Sequence, residues 1–134
     1  MRPLDLSILP ETFAIARLPG SAPAPAWVDA GPFTGALCSV TRTPDELSIV
    51  CEDRAVPEGV TAARGWRGIR VAGTLEFSET GILSSLATPL AEARISIFAL
   101  STHDTDYVLV HGETLGRAVD ALTAAGHRFF EHKP

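Results

Sequence analysis

The chain has 134 residues, of which 46% are hydrophobic and 20% charged, and a formal net charge of −5 at pH 7. That length supports one good core or two very small domains, since a lone half of about 60 residues would be marginal. The acidic balance, the absence of a Lys/Arg cluster and the single lysine, Lys133, argue against nucleic acid or an anionic membrane as partner and against P-loop or Schiff-base chemistry.

No apolar run approaches the roughly 18 residues of a membrane span. Residues 1–10 carry an aspartate and two prolines where a signal peptide has an apolar core, so a cytoplasmic location is expected. Along the chain, Leu4, Leu6 and Ile8 alternate as a short strand or arm, and residues 12–20 read as a second short strand ending at Pro19-Gly20. Pro23 and Pro25 forbid a helix interior, leaving at best one helical turn with Trp27 and Val28. From Phe33 the pattern is strand-like: residues 36–42, a turn centred on Pro44-Asp45, then residues 47–52. Residues 53–65 read as irregular and 67–77 as extended, with Gly68 and Gly73 as bulge points.

Two helices follow. In residues 80–93, Ile82, Leu83, Leu86, Leu90 and Ala93 form one stripe, Thr80 suits the N-cap, and Pro89, which removes the bond to the Ser85 carbonyl, should kink the helix or confine its regular part to one side. In residues 113–126, Leu115, Ala118, Val119, Leu122 and Ala125 share a face and Gly126 suits the C′ position. Between the helices, residues 95–110 read as a β-hairpin, and residues 127–131 close the chain as a strand. The second half thus has the β-α-β-β-α-β order of a ferredoxin-like unit.

A shift of 60 residues sets 41–50 against 101–110 and 14–17 against 74–77, strand on strand and turn on turn. The expected fold is therefore α+β: two ferredoxin-like repeats, 1–65 and 66–134, with antiparallel sheets and helices on one face. The first repeat is degenerate, its helices replaced by the proline stretch and by a segment holding Pro57 and Gly59. A hairpin centred on Pro44-Asp45 sets Cys38 opposite Cys51. A cross-strand disulfide is geometrically conceivable there, but in a cytosolic setting two small thiols on the core face are the expected state.

The turn of the later hairpin is the candidate site. A turn needs one or two polar residues, and Ser101, Thr102, His103, Asp104, Thr105 and Asp106 supply six. The bland alternative is a solvated loop whose hydroxyls and carboxylates bond their own backbone. His111, His127 and His132 lack zinc-type spacing, and neither a metal nor a cofactor is expected. No G-x-S-x-G elbow, P-loop or G-x-G-x-x-G occurs, so nothing in the residues argues for catalysis.

Residues 80–110, TGILSSLATPLAEARISIFALSTHDTDYVLV, resemble an ACT domain, the ferredoxin-like module that binds amino acids and regulates. The S-T-x-x-T-D-[FY] form resembles the aspartokinase-like and cytosolic amino-acid-sensor branch, and SVTRTPDELSIVCE with GWRGIRVAG resembles a small bacterial group with two ACT-like repeats. Two departures stand out: His103 takes a position where this branch often has an aromatic, and the first repeat lacks its first helix. The resemblance implies a non-enzymatic regulatory module whose ligand is a small amino acid. Backbone N–H groups at Gly81, Ile82 and Leu83 suit the ligand carboxylate, and Asp104 with the strand end Ser101–Thr102 suits its ammonium. The candidate ligand-binding set is Thr80, Gly81, Ile82, Leu83, Ser101, Thr102, His103 and Asp104. An ordinary capped helix explains residues 80–83 equally well, and a dimerisation protein with a vestigial pocket is the alternative function.

Both faces of residues 95–100 and 107–110 are largely apolar, whereas a solitary ferredoxin-like unit leaves one face wet. A homodimer is therefore expected, with Phe98, or Val108 and Val110, near a chain–chain or repeat–repeat contact; the regulated protein partner is unknown.

Overall fold

A computed structural model of the chain describes residues 2–28, 37–76 and 79–131. Its residues fall into two compact units, one of residues 1–10 and 67–134 and the other of residues 11–66. The chain is α+β, with seven strands and two α-helices among the described residues. Two long strands, β1 (Asp5–Leu18) and β4 (Ala62–Val71), contribute one end to each unit.

In the first unit, β4 is followed by α1 (Ile82–Glu92), the hairpin β5 (Ile97–Ser101) and β6 (Asp106–His111), α2 (Leu115–Ala124) and β7 (Arg128–Phe130). This is the expected βαββαβ order, and the hydrogen-bonded neighbours run β1-β4-β6-β5 with β7 on β1. The last strand thus pairs in parallel with Asp5–Ser7 of the N-terminal strand. The hairpin register sets Ser101 opposite Asp106 and Ile97 opposite Val110. Leu86 and Leu90 of α1, Leu122 of α2, and Leu4, Leu6, Ile69, Val108 and Val110 from the strands form the core. Burying each such side chain is worth about 1.5–3 kcal/mol.

Several local expectations are corrected here. Val108 and Val110 are 1% and 0% exposed and belong to that core, so they are not at a chain–chain surface. Leu83 lies off the buried stripe of α1 at 37% exposure, and Ser85 takes a buried position instead. The helix continues through Pro89, and its N-cap position is Gly81 in the left-handed region (φ 75°), not Thr80. Strand β4 begins at Ala62, inside the stretch read as irregular, and ends at Val71, short of the extended run expected to residue 77; Phe77 is outside the described residues.

In the second unit the neighbours run β2-β3-β1-β4, with β2 (Ser39–Arg42) and β3 (Leu47–Glu52) joined by the turn at residues 43–46. Thr43 closes that turn, its hydroxyl accepting the N–H groups of Asp45 and Glu46, both at 3.2 Å. The beginning of the strand expected from Phe33 is outside the described residues. Ala14, Ala16, Leu47, Ile49, Cys51 and Val56 form a second core with Val28, which sits in the short 3₁₀ turn Ala26–Val28. Beyond β3, the Asp53 carboxylate holds Arg64 at 2.8 Å and the Gly65 amide at 2.9 Å, fixing the start of β4. The short arm and the second short strand expected over residues 12–20 are one strand, β1, of 14 residues. The register with β7 ends at Ser7 and that with β3 begins at Phe13, so Pro10 falls in the gap where a missing amide is tolerated.

Candidate functional site

After β4, Gly73 (φ 85°) turns the chain out of the strand, and the Leu75 amide donates to the Asp104 carbonyl at 2.6 Å. This lays residues 75–76 beside the β5–β6 turn. That turn is held by Thr102 and Thr105: the Thr102 amide donates to the Thr105 carbonyl at 2.9 Å, and the Thr105 amide donates to the Thr102 hydroxyl at 3.3 Å. Thr105 is 2% exposed and its hydroxyl donates to the Val71 carbonyl at 2.6 Å. The two threonines thus use up local bonding capacity within the turn, as ST-turn residues do. His103 and Asp104 remain at its tip, Nδ1 3.0 Å from Oδ1, with both side chains largely exposed.

Opposite the turn, α1 starts at Gly81 with no side-chain cap. The first amides of a helix have no intrahelical partner and carry its positive dipole end, which favours a carboxylate. Gly81 allows the left-handed entry at little cost and keeps the approach to these amides open. Between helix start and turn lies a cavity of about 370 Å³, lined by Leu75, Glu76, Glu79, Gly81, Ile82, Leu83 and residues 101–106.

Of the eight residues expected from sequence, Gly81, Ile82, Leu83, Ser101, Thr102, His103 and Asp104 line this cavity, and Thr80 does not. Leu75, Glu76 and Glu79, which sequence reasoning left out of the site, line it as well, as do Thr105 and Asp106 of the candidate turn. The extended pattern of residues 74–77 predicts strand, which would point their side chains along a ladder. The excess of polar residues in the turn was the available signal for Thr105 and Asp106.

The wall is acidic. Glu79 pairs with Arg2 at 3.0 Å, and Asp106 accepts the Ser101 hydroxyl at 2.6 Å, while Glu76 and Asp104 add two further carboxylates. Glu79 and Asp106 are thus partly committed, and Asp104 pairs with the exposed His103 ring. Among the described residues no group of three or more His, Cys, Asp or Glu could hold a metal ion, and no helix is long and apolar enough to cross a membrane. Cys38 and Cys51 are not joined in a disulfide.

The family model of the ACT domain matches residues 61–124, and a second model, of the N-terminal domain of a further family, matches residues 11–59. Residues 61–124 are an ACT domain. A solved protein from Agobacterium tumefaciens is 40% identical, with a TM-score of 0.88, over 100% of this chain and 97% of that one. The human "Cytosolic arginine sensor for mTORC1 subunit 1" is 40% identical over 58 residues, which are 42% of this chain and only 18% of that protein. The regulatory subunit of aspartate kinase from Thermus thermophilus shares the fold at 12% identity, with a TM-score of 0.59 over 92% of this chain and 94% of that one. The ferredoxin-like architecture of the ACT domain is thus common to this chain and to a regulatory subunit.

Proposed function

We propose that this chain is a non-enzymatic regulatory module of the cytoplasm that binds a small amino acid in the cavity at the start of α1. One observation carries the reading: an uncapped helix start and a carboxylate-bearing turn face each other across about 370 Å³. An amino acid presents a carboxylate and an ammonium within one residue's length. The helix amides suit the first and Asp104 the second. The volume is at the small end of ligand pockets and admits a single amino acid, long side chains included.

Side-chain chemistry narrows the ligand. Glu76, Glu79, Asp104 and Asp106 leave the wall with more negative charge than one ammonium requires. A ligand with a second cation is favoured, and arginine fits that requirement. The match to a protein named as an arginine sensor points the same way.

A thermal-shift screen with the twenty amino acids tests this. A binder raises the midpoint as its concentration exceeds Kd, through RT ln(1 + [L]/Kd), with about 2.7 kcal/mol at a hundredfold excess. Arginine should give the largest shift, and Asp104→Ala should remove it while leaving the ligand-free midpoint unchanged, because Asp104 is exposed. No shift with any amino acid would favour the interaction protein with a vestigial pocket.

A further inference from the structure

The opposite side of the first unit's strands carries a second cavity, of about 310 Å³. Asp5, Leu6 and Ser7 of β1, Arg70 and Ala72 at the end of β4, and Phe130 and Glu131 at the end of β7 line it. It shares no residue with the cavity beside α1.

Its charges are arranged in opposition. Arg70 is braced by Tyr107, Nε donating to the hydroxyl oxygen at 3.3 Å, which leaves the two terminal nitrogens of the fork available. No ion pair holds Arg70 among the described residues. The Asp5 carboxylate is already neutralised by Arg128 at 2.7 Å. Among the described residues, Glu131 therefore supplies the negative charge without an ion-pair partner and Arg70 the positive one. Phe130 is 56% exposed, the most exposed of the large hydrophobic side chains among the described residues, and it offers an apolar wall.

We infer that this cavity is a second small-molecule site, taking a zwitterionic α-amino acid with an apolar or aromatic side chain. The ligand carboxylate is received by the Arg70 fork, its ammonium by Glu131, and its side chain by Phe130. A bare carboxylate meets the repulsion of Glu131, and a bare amine that of Arg70. The local balance of one cation and one anion selects a molecule that carries both, in contrast to the carboxylate-rich cavity beside α1.

Tyr107 is the one tyrosine in the chain and touches Arg70, so its ring signal reports this site. Full-length protein labelled at the tyrosine ring is titrated with L-phenylalanine and followed by NMR. The expected result is a saturable shift, absent with phenethylamine and with hydrocinnamate at equal concentration. Arg70→Gln and, separately, Phe130→Ala should each weaken it by roughly tenfold or more. Phe130 is exposed, so its truncation leaves the fold intact even if Arg70→Gln disturbs β4. Asp104→Ala should leave the response unchanged, which separates this site from the one beside α1. No saturable shift, an equal response to phenethylamine, persistence in both Arg70→Gln and Phe130→Ala, or loss in Asp104→Ala would each overturn the assignment.

Discussion

Pro89 has no N–H, so the Ser85 carbonyl one turn earlier lacks its helical donor. The imidazole of His127, 5% exposed, meets that need: Nε2 lies 3.0 Å from the Ser85 oxygen, and Nδ1 accepts the Leu4 amide at 3.1 Å. The two partners assign the neutral tautomer with its proton on Nε2. One side chain thus joins α1, the N-terminal segment and the approach to β7, and lets the helix run on where a kink was expected. His127→Phe should leave two buried backbone groups unpaired and cost about 2–4 kcal/mol, read as a lower midpoint in urea. An unchanged midpoint would mean that neither bond contributes. Cys51 has a second residue-scale consequence. Burial, with the nearby Cys38, Glu52 and Asp53, raises its thiol from 9.0 to about 11. The unfolded chain therefore releases this proton first, and stability is complete below about pH 9 and declines as pH rises through about 11. Cys51→Ala should flatten the stability profile over that window, measured by denaturation at constant ionic strength.

Among the elements, the turn at residues 43–46 is tied to the end of β1. Arg17 donates to the Asp45 carbonyl at 3.0 Å, Arg42 donates to the Gly20 carbonyl at 2.5 Å, and a Cβ added at Gly20 would run into the backbone oxygens of Pro44 and Thr43. Backbone cannot move aside as a flexible side chain would. Gly20→Ala should therefore loosen the β2–β3 turn and destabilise the second unit by about 1–3 kcal/mol, seen as faster amide exchange in Leu47–Glu52 with α2 unaffected. That turn was also the most legible local feature of the sequence. Pro44-Asp45 centres the hairpin, and the observed pairs from Arg42–Leu47 to Ser39–Val50 follow that register. The β5–β6 hairpin was legible for the same reason, since two β-rich runs flank a polar turn. What failed to show was decided at a distance. Thr80 carries a capping side chain, but Gly81 adopts the φ that starts α1. Residues 74–76 carry an alternating pattern, yet Leu75 is recruited by the Asp104 carbonyl rather than by a strand. The two short strands expected before Pro19 are one, because β1 changes its neighbour between Ser7 and Phe13, which sequence alone does not show.

For the whole molecule, the open question is what meets the edge of β5. In the described residues this strand pairs only with β6, and none of its five residues is fully buried. Phe98 and Leu100 are half-buried and Ala99 exposed, so the strand presents unpaired amides and carbonyls beside apolar surface. Such an edge is a template for another strand unless charge or proline blocks it, and Ile97–Ser101 contains neither. Two copies meeting edge to edge would satisfy the same groups in both by a two-fold axis. Phe98 remains available for such a contact, whereas Val108 and Val110 are committed to the core beneath the helices. A homodimer is therefore the expected species at micromolar concentration, with twice the 14.2 kDa chain mass in sedimentation equilibrium. Phe98→Lys places a charge beside the edge and should shift the chain to monomer without lowering the unfolding midpoint measured under dilute conditions. A wild-type chain that sediments at 14.2 kDa throughout would leave β5 as a tolerated free edge and remove the dimer.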